Sequence, residues 1–314
     1  MLMDLRQLRY FVAVAEEGHI TRAAERLDTQ QPPLSRLIKA IEQELDVQLF
    51  RRKPRGVELT EAGRAFLEKA RTALANVDEA VATARRTARG EQGRISIGVV
   101  PSAQFHPFVP SIIRAFREAF PLVSVTLDEA QSDALIQLIK REQIDAAFIR
   151  SPPADTAGLL LNRLMDEELV AAIPSGHPLA RGKSDSDGAL PLKGLADEPF
   201  IVLGPRARLA LYAATIAACH AAGFAPKVAQ EVPHLASALG YVAAGFGISF
   251  IPASMRRMQM HGVSYRRITG PLQPRLPLVF ASRRGDPSPA LRQCLTLVRR
   301  AGKEFVAAKR TTAQ

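Results

Sequence analysis

Along the first 90 residues, apolar side chains recur every three or four positions. Leu5, Leu8, Phe11, Val12 and Ala15 form one such stripe, which predicts a helix with a single dry face. A shorter, alanine-rich helix is predicted over residues 22–27, with the Thr21 hydroxyl as its cap. Asp28, Thr29 and Gln30 carry the turn. Pro32 and Pro33 then open the next helix, where a missing N–H costs nothing, and Leu34, Leu37, Ile38, Ile41 and Leu45 share its apolar face. The period changes at FRRKPRGVELT, residues 50–60, which predicts a hairpin with a basic tip held by Pro and Gly. Residues 61–89 contain no Pro, and Leu67, Ala70, Leu74, Val77, Val81, Ala84 and Ala88 alternate spacings of three and four. That heptad seam predicts a helix about 43 Å long, suited to pairing with a second copy; packing within the chain is the alternative.

Gly90-Glu91-Gln92-Gly93 reads as a hinge, after which strands and helices alternate. ISIGVV, a helix over 108–120, SVTLDE, a helix over 132–142 and IDAAFIR predict one α/β unit with a mostly parallel sheet. From about Met165, ELVAAIP, FIVLG, a helix over 207–222, KVAQEV, a helix over 235–244 and GISFIP predict a second. YRRIT leads back, and LPLVFAS with a helix over 289–306 completes the first. The expected fold is α/β: an N-terminal winged helix-turn-helix (1–60), a linker and dimerisation helix (61–90), and a two-lobed domain of the solute-binding type (91–314). Its lobe I covers about 93–163 and 268–303, and its lobe II about 164–267.

The third helix carries the first candidate chemistry. Pro32, Ser35, Arg36 and Lys39 fall opposite its apolar face, preceded by Gln30 and Gln31. Gln and Arg read base edges in a major groove, while Lys and Ser hold phosphates. An ordinary amphipathic helix with a solvated polar face is the alternative, and the neighbouring helices and basic hairpin favour DNA. Net charge is +11 over 314 residues, but residues 1–90 carry 16 Lys and Arg against 13 Asp and Glu, and the rest 26 against 18. The DNA reading therefore rests on local clustering at Arg51, Arg52 and Arg55 rather than on a basic first domain. No run approaches a membrane span, and the charged start argues against export, so a cytoplasmic protein is expected. Cys219 and Cys294 and the six His follow no metal or catalytic spacing, and no cofactor is expected.

DLRQLRYFVAVAEEG, TRAAERL, QPPLSR and VELTEAG, in this order, resemble the N-terminal domain of LysR-type transcriptional regulators. GHPLA, DEPFIV, AAGF and VAAGFGISFIPAS resemble the corresponding effector domain, nearest to the branch that regulates aromatic-compound catabolism. The resemblance implies DNA contacts from Gln31, Pro32, Pro33, Ser35, Arg36 and Lys39, with wing support from Arg51, Arg52 and Arg55; Thr21 and Gln30 complete the candidate set. Gln30 stands where the family usually has Ser or Ala, which allows the helix cap to shift to Thr29. Leu37 stands where a Gln contact is frequent.

In open α/β sheets, ligands bind beyond the carboxyl ends of strands. Those ends are Ser102-Ala103, Ser132, Arg150, Gly204-Pro205 and the strand after Gly247, with Phe250. Ser102 and Ser132 lie near helix starts that favour anions, and Arg150 is placed to grip a carboxylate. By the resemblance these three fall on ligand-contacting positions, and the effector is a small organic acid, muconate-like or aromatic. Each has a plainer role: the serines as helix caps, Arg150 as partner of Asp133 or Asp145, and Phe200, Phe246 and Phe250 as core. His106, His177, His220, His234 and His261 read as structural, and Cys219 as packing.

The resulting expectation is an operator-binding regulator of a catabolic operon. It would be a homodimer through Leu67, Leu74, Val77 and Val81, assembled further into a homotetramer, with RNA polymerase as a further partner. A cytoplasmic solute-binding protein without operator-specific regulation is the alternative. An enzyme is disfavoured, because no nucleophile–base pair or phosphate loop is present.

Overall fold

The computed structural model describes residues 3–152, 154–181, 189–204 and 209–311. The chain divides into two units, Met1–Arg86 and Thr87–Gln314.

The first unit contains α1 (Leu5–Glu17), α2 (Ile20–Arg26), α3 (Gln31–Leu45), the hairpin β1 (Phe50–Lys53) and β2 (Gly56–Leu59), and most of α4 (Glu61–Arg89). A capping box starts α1: the Asp4 carboxylate accepts from Gln7 N at 2.7 Å, and the Gln7 amide oxygen accepts from Asp4 N at 2.8 Å. Ala23 and Ala24, both buried, allow α2 to approach its neighbours closely. Phe11 meets Phe66 edge-on at 4.8 Å and Phe50 at 5.3 Å, joining α1, α4 and β1 in one core. The Glu42 carboxylate accepts from Leu49 N and Phe50 N at 2.8 and 3.0 Å, fixing where the chain leaves α3 for the wing.

Four sequence expectations change here. The cap of α2 is His19, whose Nδ1 accepts from Thr21 N at 3.2 Å; Thr21 lies one residue inside the helix. The cap of α3 remains Gln30, without a side-chain bond, so the shift to Thr29 does not occur. Leu45 is 38% exposed, because α3 ends there and the core closes over Leu34, Ile38 and Ile41. In α4, Ala70 is buried and Leu67 packs on the trihelical core, so the start of the seam serves its own unit. Leu74 and Val77 are half-buried, and Val81 is 46% exposed.

The second unit begins with β3 (Gln92–Val99), α5 (Phe108–Ala119), β4 (Leu122–Glu129), α6 (Ser132–Lys140) and β5 (Ala146–Ile149). It continues with β6 (Leu159–Pro174), α7 (Pro178–Arg181), β7 (Leu190–Pro191), β8 (Pro199–Leu203), α8 (Leu209–Ala221) and β9 (Lys227–Val232). It closes with α9 (Leu235–Ala243), β10 (Ser249–Pro252), β11 (Val263–Thr269), β12 (Arg275–Arg283) and α10 (Pro289–Thr311). The sheet runs β4-β3-β5-β12-β6-β11-β7, with β10 also paired to β6. It is mixed rather than mostly parallel: β3 lies parallel to β4 and β5, whereas β12 and β6 run antiparallel to their neighbours in the main sheet as crossover strands.

The 16-residue β6 serves both lobes. Its first part pairs with β12 beside a core containing Phe108, Phe148, Leu278 and Phe280, and its last part pairs with β10 and β11 beside a core containing Phe200, Ile201, Leu239 and Phe250. Ile268 and Leu276 pack in the second core, so the return crossing lies beyond residue 268.

The glycine hinge is a clamped turn instead. Gly90 (φ +74°) is buried, and a Cβ there would stand 2.4 Å from the Pro289 carbonyl oxygen; Gln293 Nε2 donates to Arg89 O at 2.8 Å. Gln92 and Gly93 already belong to β3.

Candidate nucleic-acid interface and ligand cleft

Helix α3 presents Gln31, Pro32, Pro33, Arg36 and Lys39 to solvent, with Gln30 exposed just ahead and Ser35 half-buried. Among the described residues no carboxylate pairs with Arg36 or Lys39. The helix's apolar back, Leu34, Ile38 and Ile41, is buried, so the face is held by its own core. Other arginines of this unit have structural work: Arg26 binds Glu16 and Glu17 at 2.9 and 3.2 Å, and Arg71 binds Glu16 at 2.8 Å. Arg71 and Arg26 hold the Glu16 carboxyl below its ordinary range. In the wing, Arg51 stands opposite Glu58 and Arg52 opposite Val57, with Pro54 and Arg55 forming the two-residue tip. Lys53 takes Glu58 at 2.8 Å, leaving Arg51, Arg52 and Arg55 exposed and without an ion pair among the described residues. Thr21 is exposed on the first turn of α2.

The ligand-site candidates divide. Arg150 is 4% exposed and bound to Glu167, itself 3% exposed, and its Nη1 donates to Leu276 O at 3.4 Å. Glu167 also accepts from Ser254 N at 2.6 Å. Burial pulls the Arg150 guanidinium below its ordinary pKa, and Glu167 opposes that shift. Its partner is thus neither Asp133 nor Asp145; the latter accepts from Ser96 N at 2.7 Å and faces Arg283 at 3.7 Å. Arg150 ties β5 to both crossover strands through its two Nη groups, and its Nε has no hydrogen-bond partner among the described residues. Ser132 likewise serves the backbone, its Oγ accepting from Arg150 N and Ser151 N at 3.2 Å each.

Ala103 is fully buried in the first lobe's core. Gly247 (φ +147°) is required by close packing, since a Cβ would stand 2.3 Å from Pro199 O. Phe250 meets Phe200 edge-on at 5.4 Å inside the second core, whereas Phe246, expected there too, is 55% exposed. Gly204 follows β8, with its N–H bonded to Val232 O at 3.2 Å. Pro205 lies outside the described residues.

Ser102 does face a cavity. It is 1% exposed, and its hydroxyl has no hydrogen-bond partner among the described residues. The cavity measures about 290 Å³ and is walled from lobe I by Pro101, Ser102, Gln104, Phe105 and Glu129, and from lobe II by His234, Leu235, Ala236, Met255 and Met258. Residues 234–236 are the start of α9, whose cap residue His234 makes no side-chain capping bond. The N–H groups of Leu235, Ala236 and Ser237 therefore lack intrahelical acceptors and carry the positive end of the helix dipole. An unpartnered hydroxyl from one lobe and an uncapped nine-residue helix from the other meet at one small, largely apolar space. His234 is thereby part of this wall rather than merely structural. A wider groove of about 850 Å³ on the crossover strands is lined by Asp166, Glu168, Arg256, Arg257 and Arg275 among others, with Arg275 and Glu168 paired at 3.3 Å.

Cys219 and Cys294 are buried, and burial pushes their thiols up to about 11 and about 12, so neither is an activated nucleophile. Among the described residues no helix is long and apolar enough to cross a membrane.

Two family models account for the chain: the helix-turn-helix of lysR-family bacterial regulatory proteins over residues 5–64, and the LysR substrate binding domain over residues 88–303. The chain is a LysR-type transcriptional regulator. Its relatives within that family include AlsR of Bacillus subtilis, 38% identical over 290 residues and covering 92% of this chain and 93% of AlsR. BenM of Acinetobacter baylyi is 38% identical over 271 residues, 86% of each chain. Among solved structures, CbnR in complex with its target DNA superposes with a TM-score of 0.82 at 30% identity, covering 96% of this chain and all of CbnR. A LysR-type regulator is a DNA-binding protein and not an enzyme, and here the helix-turn-helix and the effector-binding domain coincide with the two units of the fold.

Proposed function

We propose that this regulator senses a small organic acid in the interlobe cavity and converts its arrival into altered operator binding. The carboxylate sits between the Ser102 hydroxyl and the uncapped start of α9, which would satisfy unpaired groups from both lobes at once. Such a ligand binds the closed arrangement better than the open one, and that difference in affinity is what shifts the equilibrium. The pairing of Ser102 with the α9 terminus carries this reading.

The DNA side rests on Gln30, Gln31, Ser35, Arg36 and Lys39 reading the groove while Arg51, Arg52 and Arg55 hold the backbone, with Thr21 and the prolines at the same surface. Leu74, Val77 and Val81 provide the dimer seam of α4; two such dimers would form the tetramer, acting on RNA polymerase in the cytoplasm. Aromatic acids and a catabolic operon belong to this reading. AlsR and BenM are each 38% identical to this chain, so identity alone does not select the effector. A gel shift with DNA upstream of the neighbouring genes tests it: the native chain retards that fragment and Arg36→Ala does not. Equal retardation by both removes α3 from the interface.

A further inference from the structure

The wall that receives a carboxylate also contains one. Glu129, at the end of β4, lines the same cavity as Ser102 and the start of α9, and its carboxylate accepts from the Gln104 amide. Among the described lining residues there is no Lys or Arg, and Gln104 gives one of its two amide N–H groups to Glu129. A space of about 290 Å³ is about 8 Å across, so no ligand atom inside it lies beyond roughly one Debye length from Glu129 at physiological salt. The first carboxylate has the Ser102 hydroxyl and the α9 N–H groups to offset that charge; a second would meet the Glu129 charge with no Lys or Arg among the described lining residues to answer it. We infer that Glu129 is a specificity residue that restricts the effector to monocarboxylates and rejects dicarboxylates such as muconate.

This inference rests on the organic-acid reading of the cavity, and the experiment separates the two. Affinities of the full chain are measured by calorimetry for two matched pairs, sorbate against trans,trans-muconate and benzoate against terephthalate. Within each pair the skeleton is kept and one carboxylate is added. The monoacid of at least one pair is expected to bind about ten-fold or more tightly than its diacid. Glu129→Gln, or Glu129→Ala, should close most of that gap, tightening the diacid more than the monoacid. A diacid that binds the native chain as tightly as its monoacid, with binding lost in Ser102→Ala, overturns the inference and leaves the acid reading standing. An unchanged ratio in both Glu129 variants also overturns it. Absence of binding by all four acids overturns both.

Discussion

Replacing Glu167 by Gln keeps the shape of the side chain and removes the charge that answers Arg150. The two groups are 5% and 3% exposed, so the guanidinium would be left in a site that water hardly reaches. Breaking a buried pair from one side costs about 3–5 kcal/mol, because the remaining charge keeps its desolvation penalty. Arg150→Met leaves Glu167 with only the Ser254 N–H and should cost a similar amount. The double replacement, Arg150→Met with Glu167→Met, removes both penalties and should cost less than either single change. The chain has no Trp, so urea unfolding is followed by circular dichroism, with calorimetry as a check. For a unit of this size the single variants should lower Tm by roughly 6–20 °C. Single costs below about 1 kcal/mol, or a double variant whose cost equals their sum, would refute the view that this pair holds the crossover together.

Leu74→Asp places a carboxylate in the seam of α4 beyond the part packed on its own core; light scattering should show the native assembly reduced to smaller species, and an unaltered mass would mean the seam is misassigned. The two thiols give a pH-dependent test with a defined sign. With Cys219 pushed up to about 11, its thiolate fraction at pH 8 is on the order of one in a thousand, and that of Cys294 is lower still. Alkylation at pH 8 should therefore be negligible in the native protein and complete in urea; rapid native labelling would contradict the burial.

Most of the N-terminal unit is legible in the sequence because each element carries its own period. The limits of α4 at Glu61 and Arg89 follow from a hairpin before and a glycine after. The strand FIVLG is legible as a short apolar run bounded by Pro and Gly. The first half of β6 is not: LLLNRLM lacks clean alternation, its residues are mostly half-buried, and its register against β12 shifts between Leu278 and Val279. The cavity was only partly legible. Ser102 belongs to it, but Glu129, His234 and Met255 come from separate segments whose meeting depends on how the lobes close. The sequence signal for His234 was a predicted helix start without a capping Ser, Thr, Asp or Asn. The ion-pair partner of Arg150 was misread because Glu167 is 17 residues away on a crossover strand, where charge spacing along a helix or strand gives no guide.

The most direct test of the account couples its two halves in one experiment. Operator footprints of the full chain are compared with and without the tightest-binding acid, for the native protein and for Ser102→Ala. The acid is expected to change the native footprint and to leave that of Ser102→Ala as it was, with both proteins occupying the operator equally in its absence. An identical acid response in the two proteins would place the sensor elsewhere.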